Sequence, residues 1–480
     1  MVAIGCSPDR SNDGTDQGPR STTHSNRQQT GQRQSQPTHT AAANDRAEQD
    51  SNTHPTEPSA RVQIFSKDQQ RILQSSTPVS SGEKLRSEVD VVTAHLTNVL
   101  PETPDILEIR ARFLNLIGDL DAAETTWMRA TQIDPNYGYA HHGLGKIAKL
   151  KGNFEQAIKY FRKSEKTQPD NAELIQDLAN VLITTGDSGE AVKTLDDFMK
   201  RNGESPDILL LHGNASLAEQ NFEQAKSSFS RVLQLHPNAA RAQDGLISAL
   251  VRLGQRQEAR NLMAEKRKKD QAQATANTST DGNSPRSLSD ELKDCSQIYF
   301  QACIVLSNLG YLEDAELLAQ RATIFDPNNL QCWRLLIEFA QASSNEKMLQ
   351  TCQAMTLANP DDPSVHFEYG SLLLSAGDSQ AAKSKFEKVI ELSPQDPAGY
   401  AGVLRASIQA RTDLEQALEI AHKLVQLAPS AQHHDLLAQT YALTGDFEKA
   451  RQEIKIAIEK DPQNKQLLFA KEQLEKLLAK

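Results

Sequence analysis

The sequence predicts an all-α solenoid, in which about ten helical hairpins stack in two blocks of five. The main observation is that alanine, glycine and proline share one period of 34 residues. A fixed period of this length indicates a repeat architecture, in which each unit contacts its neighbours. The three series begin with Ala123, Ala157, Ala191, Ala225 and Ala259; Gly118, Gly152 and Gly186; and Pro135, Pro169 and Pro237.

The unit from 138 to 171 shows why the period predicts helical hairpins. Leu144 belongs to an apolar stripe at helical spacing, and Gly152 follows it, where a left-handed residue ends a helix. A second stripe contains Phe161 and is stopped by Pro169. Such a hairpin cannot bury its apolar face alone, so we expect successive hairpins to bury it against one another.

The period stops after residue 265 and resumes near residue 291, which divides the hairpins into block one (104–265) and block two (291–464). Block two is marked by Gly310, Gly377 and Gly445. The ten hairpins are expected to begin near residues 104, 138, 172, 206, 240, 296, 330, 363, 397 and 431.

These hairpins resemble the tetratricopeptide repeat family. The resemblance implies a right-handed α-solenoid whose first helices line a concave groove for extended peptides, and therefore a non-enzymatic scaffold that binds other proteins. This sequence departs from the family in two places: the large aromatic residue early in the first helix occurs only at Trp333 and Tyr400, and Leu349 replaces the usual alanine. The matching motif residues are Leu144, Gly145, Ala157, Phe161 and Pro169, and later Leu437, Ala438, Tyr441, Ala450, Ala457 and Pro462.

Four segments lie outside the hairpins. Residues 1–60 are rich in Gln, Ser, Thr and Asn and are expected to be disordered. Residues 61–103 carry helical apolar pairs and are expected to be partly helical, as an N-terminal cap. Residues 266–290 are expected to form a flexible linker, and residues 465–480 are expected to form a C-terminal capping helix.

The motifs and the net charge of the sequence favour a protein-binding role over catalysis or nucleic-acid binding. The sequence contains no Gly-rich phosphate loop and no G-x-S-x-G or H-E-x-x-H motif. We therefore expect no catalytic residues, no metal and no cofactor. The net charge of −11 argues against nucleic-acid binding, which uses a basic surface. The adjacent histidine pairs point about 100° apart on a helix, so neither pair chelates one metal well.

In the register that the resemblance implies, the groove of block one presents mainly polar side chains. Asn180 and Asn214 occupy equivalent places 34 residues apart, and an amide pairs with any peptide backbone because it both donates and accepts. Lys146 and Lys149 are expected to hold a peptide carboxylate or an acidic segment, although His142 stands where the carboxylate-binding subclass has lysine. The candidate residues of block one are Arg112, Tyr139, His142, Lys146, Lys149, Asn180 and Asn214.

The groove of block two is expected to be more apolar. Its candidate residues are Phe300, Ile304, Phe367 and Leu374. Because these differ in chemistry from the residues of block one, the sequence predicts two different partner surfaces. A second interpretation is an accessory subunit of an enzyme supplied in trans.

The segment from Ala3 to Cys6 supports another alternative. Ala-Ile-Gly-Cys resembles the lipidation motif of bacterial lipoproteins, in which the cysteine is acylated. If the true start lies upstream of Met1, Cys6 anchors the protein to a membrane, where it would assemble an envelope or secretion complex. If Met1 is the true start, the protein is cytoplasmic and Cys6 has no such role, because a signal segment needs 7–15 apolar residues.

Overall fold

A computed structural model describes residues 63–274 and 287–478, and every regular element in these two ranges is a helix. The described residues belong to one compact unit. None of the helices in these ranges has the length and apolarity needed to cross a lipid bilayer. Cys6 and the polar segment 1–60 lie outside the described residues.

The helices form an N-terminal pair, ten hairpins and one final helix. The N-terminal pair is α1 (Lys67–Leu73) and α2 (Gly82–Val99). Block one consists of α3 (Pro104–Leu116), α4 (Leu120–Ile133), α5 (Gly138–Leu150), α6 (Phe154–Glu165), α7 (Ala172–Thr185), α8 (Ser188–Asn202), α9 (Pro206–Ala218), α10 (Phe222–Leu235), α11 (Ala240–Arg252) and α12 (Arg256–Ala274). Block two consists of α13 (Leu288–Asn308), α14 (Leu312–Phe325), α15 (Leu330–Ser343), α16 (Asn345–Ala358), α17 (Pro363–Ser375), α18 (Ser379–Leu392), α19 (Pro397–Ala410), α20 (Leu414–Leu427), α21 (Ala431–Thr444) and α22 (Phe447–Lys460), and α23 (Lys465–Leu478) follows it.

The all-α solenoid of helical hairpins is confirmed, and nine of the ten hairpins begin at the expected residue. The exception is the sixth hairpin, whose first helix α13 begins at Leu288 and not near 296. Ser287 caps this helix by accepting a hydrogen bond from the backbone N–H of Asp290. The added turns contain Leu288 and Leu292, which pack against a hydrophobic core and so extend the helix.

The helix ends follow local chemistry. The Asn171 side chain accepts a hydrogen bond from the Leu174 N–H at the start of α7, and Gly186 ends this helix with a φ of 92°. In the next hairpin Ser205 caps α9, and Pro206 occupies the first turn, where its missing N–H costs nothing. Gly186, a glycine of the sequence period, therefore marks a real helix boundary.

Within the stack, aromatic rings of the second helices lie against glycines of the first helices. A Cβ atom on Gly213 would come within 2.6 Å of the Phe229 ring, and one on Gly245 within 2.4 Å. Phe386 repeats this arrangement in block two, where a Cβ on Gly402 would lie 2.3 Å from the ring. Because Gly213 and Gly245 belong to successive hairpins, one phenylalanine joins its own hairpin to the next.

The first helices lie on the inner side of each stack. Six pairs of consecutive first helices contact one another, whereas no pair of consecutive second helices in the described ranges comes as close. A stack whose first helices are closer together curves toward them, so these helices form the concave face. The contacting pairs are α3 and α5, α5 and α7, α7 and α9, α9 and α11, α17 and α19, and α19 and α21.

The expected linker 266–290 is too wide on both sides. Helix α12 continues to Ala274, and α13 begins at Leu288. The reason is composition: Lys, Arg, Gln and Ala are good helix formers, so the run after residue 265 extends α12 instead of ending it. Residues 275–286 lie outside the described residues.

The N-terminal pair does more than cap block one. Helix α2 packs on α3 of block one and on α13 of block two, while α1 packs on α14. Helices α3 and α13 also pack directly on each other. The two blocks therefore meet at their first helices, in contrast to a single stack, in which α13 would follow α12.

The final helix α23 packs on α22. Leu467 and Leu474 are buried there, whereas Leu468 and Phe469 are about half exposed. Leu467 and Leu474 therefore cover the last hairpin, whereas Leu468 does not.

Candidate functional site

The concave face of block one brings the charged candidates together. Lys146 on α5 donates from Nζ to Oε1 of Glu173 on α7, at 2.5 Å. Lys149 donates from Nζ to Oδ1 of Asp177, also at 2.5 Å. Nε2 of His142 lies 3.0 Å from Oδ2 of the same Asp177. The three candidate residues of α5 are thus paired with two carboxylates of the next hairpin.

This pairing corrects the expectation that Lys146 and Lys149 are available for a peptide carboxylate. Both ammonium groups already have an internal carboxylate partner. The Glu173 side chain is 62% exposed and the Asp177 side chain only 14%. A partner carboxylate would therefore have to displace Glu173 from Lys146, and Asp177 is much harder to displace.

Asp177 is held as a carboxylate. Burial raises its pKa, but hydrogen bonds from His142 and Lys149 outweigh burial and lower the pKa to about 2. The Glu173 carboxyl has its pKa lowered by Lys146 against the opposite effect of partial burial. At neutral pH both acids are ionised, so they neutralise the two lysines beside them.

A buried carboxyl that the sequence did not single out lies beneath this network. Glu108 on α3 is buried and accepts a hydrogen bond from Nε1 of Trp127, at 2.5 Å. Burial raises the pKa of Glu108, and Arg112, the Trp127 hydrogen bond, His142 and Lys146 oppose this rise. A signal was present, because an acid among the apolar residues of α3 needs a partner.

Asn180 and Asn214 differ from these paired residues. Both are exposed, on α7 and α9, which contact each other. In residues 63–274 and 287–478 no hydrogen bond to either side-chain amide is found. Tyr139 at the start of α5 is also exposed, at 46%. The first helices of block one therefore carry paired charges on α5 and α7 and exposed amides on α7 and α9.

The candidates of block two are partly used in packing. Phe367 lies with its ring 5.5 Å from the Phe386 ring, and Phe300 packs against the core where the blocks meet. Leu374 is half-buried against the core around Phe386. Ile304 is the most exposed of the four candidates. Phe300 and Phe367 belong to different core clusters, so the four residues do not form one continuous apolar strip.

The histidine pairs point apart, as expected. Nε2 of His141 lies 2.8 Å from the Pro135 carbonyl oxygen, while His142 turns to Asp177. Ligand-type atoms of His142, Glu173 and Asp177 lie within 4.8 Å of one another. These carboxylates accept from two lysines, whose positive charges oppose a cation at the same place.

The cysteines of the described ranges are core residues. Cys295, Cys303, Cys332 and Cys352 are buried. Burial raises the pKa of Cys303, Cys332 and Cys352 to about 12, so their thiols stay protonated and unreactive at neutral pH.

Comparison with known proteins identifies the repeat. Three family models, each described as tetratricopeptide repeat, match residues 148–214, 210–274 and 363–396. The DnaJ protein P58IPK homolog A of Oryza sativa subsp. japonica is 24% identical over 161 residues, which is 30% of this chain and 34% of that protein. The chain thus spans about a third of the length of this relative.

Similar solved structures include yeast Tom70, with 15% identity, a TM-score of 0.32 and coverage of 82% of this chain and 92% of that chain. YrrB, described as a TPR protein with an unusual peptide-binding site, has 18% identity, a TM-score of 0.32 and coverage of 37% and 92%. The TPR domain of P58(IPK) has 18% identity, a TM-score of 0.27 and coverage of 71% and 98%. At this level of similarity no function is carried over from them.

Proposed function

We propose that this tetratricopeptide-repeat protein is a non-enzymatic scaffold, which holds an extended segment of a partner protein on the concave face of block one. The repeat supports the general role, since it is a protein-interaction fold. The chemistry of the concave face supports the finer proposal, which concerns how the segment is held.

The observation that carries this proposal is the pair of exposed amides, Asn180 and Asn214. They lie on adjacent first helices at the same place in consecutive repeats. A side-chain amide can donate to a backbone carbonyl and accept from a backbone N–H, and it does so for any sequence. Two amides one repeat apart can therefore hold an extended backbone at two points.

The charged network next to these amides determines the kind of segment. Lys146 and Lys149 are paired with Glu173 and Asp177, so neither ammonium group is free to pair with an acidic segment. Tyr139 adds an exposed aromatic surface at the same end. We infer that the preferred segment is extended and weakly charged, and that backbone hydrogen bonds supply its affinity.

Block two is proposed to bind a different partner segment. On its first helices Ile304 is exposed and Phe300 and Phe367 are half-buried, in contrast to the ion pairs between α5 and α7 of block one. A segment with apolar side chains suits this surface, because its binding buries apolar area.

The test begins with peptides selected from a random library on the full-length protein. Their affinities are measured by fluorescence anisotropy for the wild type, Asn180→Ala/Asn214→Ala and the control Asn136→Ala. Asn136 is an exposed loop asparagine in block one, so its change removes the same chemical group outside the groove.

Loss of up to four hydrogen bonds of about 0.5–1.5 kcal/mol each should weaken the block-one peptides at least tenfold in the double variant. The control should bind as the wild type does. Since both asparagines are exposed, thermal unfolding should not change. Unaltered affinity of the double variant for every selected peptide would reject the proposal.

A further inference from the structure

We propose that residues 63–100, here called the clasp, hold the two blocks together and fix the concave face of one block relative to that of the other. This inference is independent of what binds to either face. It rests on the contacts that the clasp makes with both blocks.

The strongest polar contact joins the clasp to block two through Arg321 on α14. Its guanidinium donates to both carboxylate oxygens of Glu88, at 2.8 and 2.7 Å. It also donates to the backbone carbonyls of Ser75 and Thr77, at 2.6 and 3.0 Å. The Arg321 side chain is only 4% exposed and that of Glu88 10%. One buried cation thus binds three separate positions of the clasp.

Other polar contacts extend this attachment along block two. Arg86 donates to both carboxylate oxygens of Glu291 on α13, each at 2.8 Å. At the start of the clasp, the Ile64 N–H donates to Oδ2 of Asp314, at 2.8 Å. The clasp is therefore fixed to block two at its first residues, at its centre and at the N-terminal half of α2.

The clasp is attached to block one by α3. Arg110 on α3 donates from Nη1 to Oδ1 of Asp90 at 2.6 Å and to Oγ1 of Thr93 at 2.9 Å. These two acceptors are on α2, the same helix that carries Arg86 and Glu88. Helix α2 thus connects the first hairpins of both blocks by charged hydrogen bonds.

An apolar core continues across the three helices. Val89 and Leu96 of α2, Phe113 of α3, and Tyr299 and Leu306 of α13 belong to one cluster of buried residues. Burial of such apolar side chains is the main favourable contribution to association between protein surfaces. Removal of the clasp would expose this core on both blocks at once, so the junction is a stable interface and not a transient contact.

The consequence is that the connection 275–286 is not what holds the blocks together. Both concave faces begin at the junction and extend away from it along the chain. A partner with two binding segments would meet both faces at a fixed spacing, so the second segment binds at a high effective concentration.

The experiment uses the full-length chain with a protease recognition sequence inserted after Asn283, within 275–286. After complete cleavage, sedimentation velocity at low micromolar concentration measures whether the two fragments stay together. We expect one species with the mass of the 53.0 kDa protein. Two independently sedimenting fragments would overturn the proposal.

Variants then test whether the ion pair between Arg321 and Glu88 holds the cleaved fragments together. Arg321→Gln and Glu88→Gln each leave a buried charge without its partner, which should weaken association of the cleaved fragments about 100-fold or more. The matched control is Arg334→Gln, because the Arg334 side chain is 52% exposed and pairs with Glu368 within block two. This control should leave the fragments associated.

Circular dichroism of the uncleaved variants shows whether a variant separates because it has unfolded. If Arg321→Gln loses native helical content, Glu88→Gln tests the same ion pair from the clasp side. If both variants are folded and their cleaved fragments remain associated as tightly as the wild type, this ion pair does not hold the blocks. No peptide is present in these measurements, so their failure is distinguishable from failure of the proposed groove.

Discussion

Blocks one and two fill the same structural position with different side chains. Early in a first helix, one side chain hydrogen-bonds the carbonyl oxygen of the proline six residues before it. The pairs in block one are His141 with Pro135 and Gln243 with Pro237, at 2.8 and 3.2 Å, and those in block two are Trp333 with Pro327, His366 with Pro360 and Tyr400 with Pro394, at 2.9, 2.8 and 3.0 Å. All five side chains carry a polar group that reaches the proline carbonyl oxygen. A large aromatic residue is only one kind of side chain that does so.

The concave faces of the two blocks differ much more. In block one, Lys146 and Lys149 form ion pairs with acids of the next hairpin. In block two, Phe367 packs on Phe386, and the exposed candidate is apolar. The stacking of hairpins is therefore common to both blocks, while the surface that a partner would meet is specific to each.

The largest expected effect tests the shared stacking. Phe229→Ala in block one and Phe386→Ala in block two should each lower the free energy of unfolding by about 3–5 kcal/mol, because each ring is buried between two glycines. Urea unfolding followed by circular dichroism measures both. If one variant loses less than half of what the other loses, the two blocks are not stacked in the same way.

A smaller effect is expected when the glycines themselves are changed. Gly245→Ala and Gly402→Ala place a methyl group within 2.4 and 2.3 Å of a phenylalanine ring, and this overpacking should cost about 1–3 kcal/mol. Gly189→Ala is the control, because the nearest atoms to its Cβ belong to the flexible Glu219 carboxyl, at 3.3 Å. Thermal unfolding should show no loss for this control, whereas equal losses in all three would contradict the close ring contact.

The stability of block one should depend on Asp177. Its pKa is lowered to about 2, so it stabilises the folded state above the unfolded pKa of about 4, and this stabilisation is lost as pH falls toward 2. Asp177→Asn should lower the free energy of unfolding by about 2 kcal/mol at pH 7. The variant and the wild type should converge in stability below pH 2.

Glu173→Gln is the control for this pH dependence. Glu173 is largely exposed, so solvent screens its pair with Lys146 and the loss at pH 7 should be well below that of Asp177→Asn. Denaturant titrations from pH 2 to 7 compare the variants. A difference between Asp177→Asn and the wild type that persists unchanged to pH 2 would show that the carboxylate charge is not the cause.

The smallest effect concerns the proline carbonyl in block one. His141→Gln keeps a polar group that can reach Pro135 and should change the free energy of unfolding by less than about 0.5 kcal/mol, whereas His141→Leu removes it and should cost about 1 kcal/mol. Thermal unfolding of the two variants measures the difference. If His141→Gln is the less stable of the two, the ring and not the hydrogen bond is what matters at this position.

The local fold could be predicted from the sequence because glycine and proline act through their own backbones. Gly186 ends a helix by its positive φ, and Pro237 follows the end of α10, so the spacing of such residues predicts hairpin boundaries without knowledge of distant contacts. The helical extension of α12 beyond residue 265 is consistent with its content of Lys, Arg, Gln and Ala, although the end of the repeat period there predicts a linker.

The arrangement of the blocks could not be predicted in this way. The contact between Arg321 and Glu88 joins residues 233 positions apart, and Glu88 lies outside the repeat period. The candidate groove could be predicted only in part. Its residues share one face in the register that the resemblance implies, but the pairing of Lys146 with Glu173 depends on how closely α5 and α7 approach.

The most direct test of two different surfaces on one scaffold is a competition measurement with the selected peptides on the full-length protein. Two classes of peptide should bind at the same time without competition, and Asn180→Ala/Asn214→Ala should weaken only one class at least tenfold. Competition of all peptides for a single site, or equal weakening of both classes, would contradict the account.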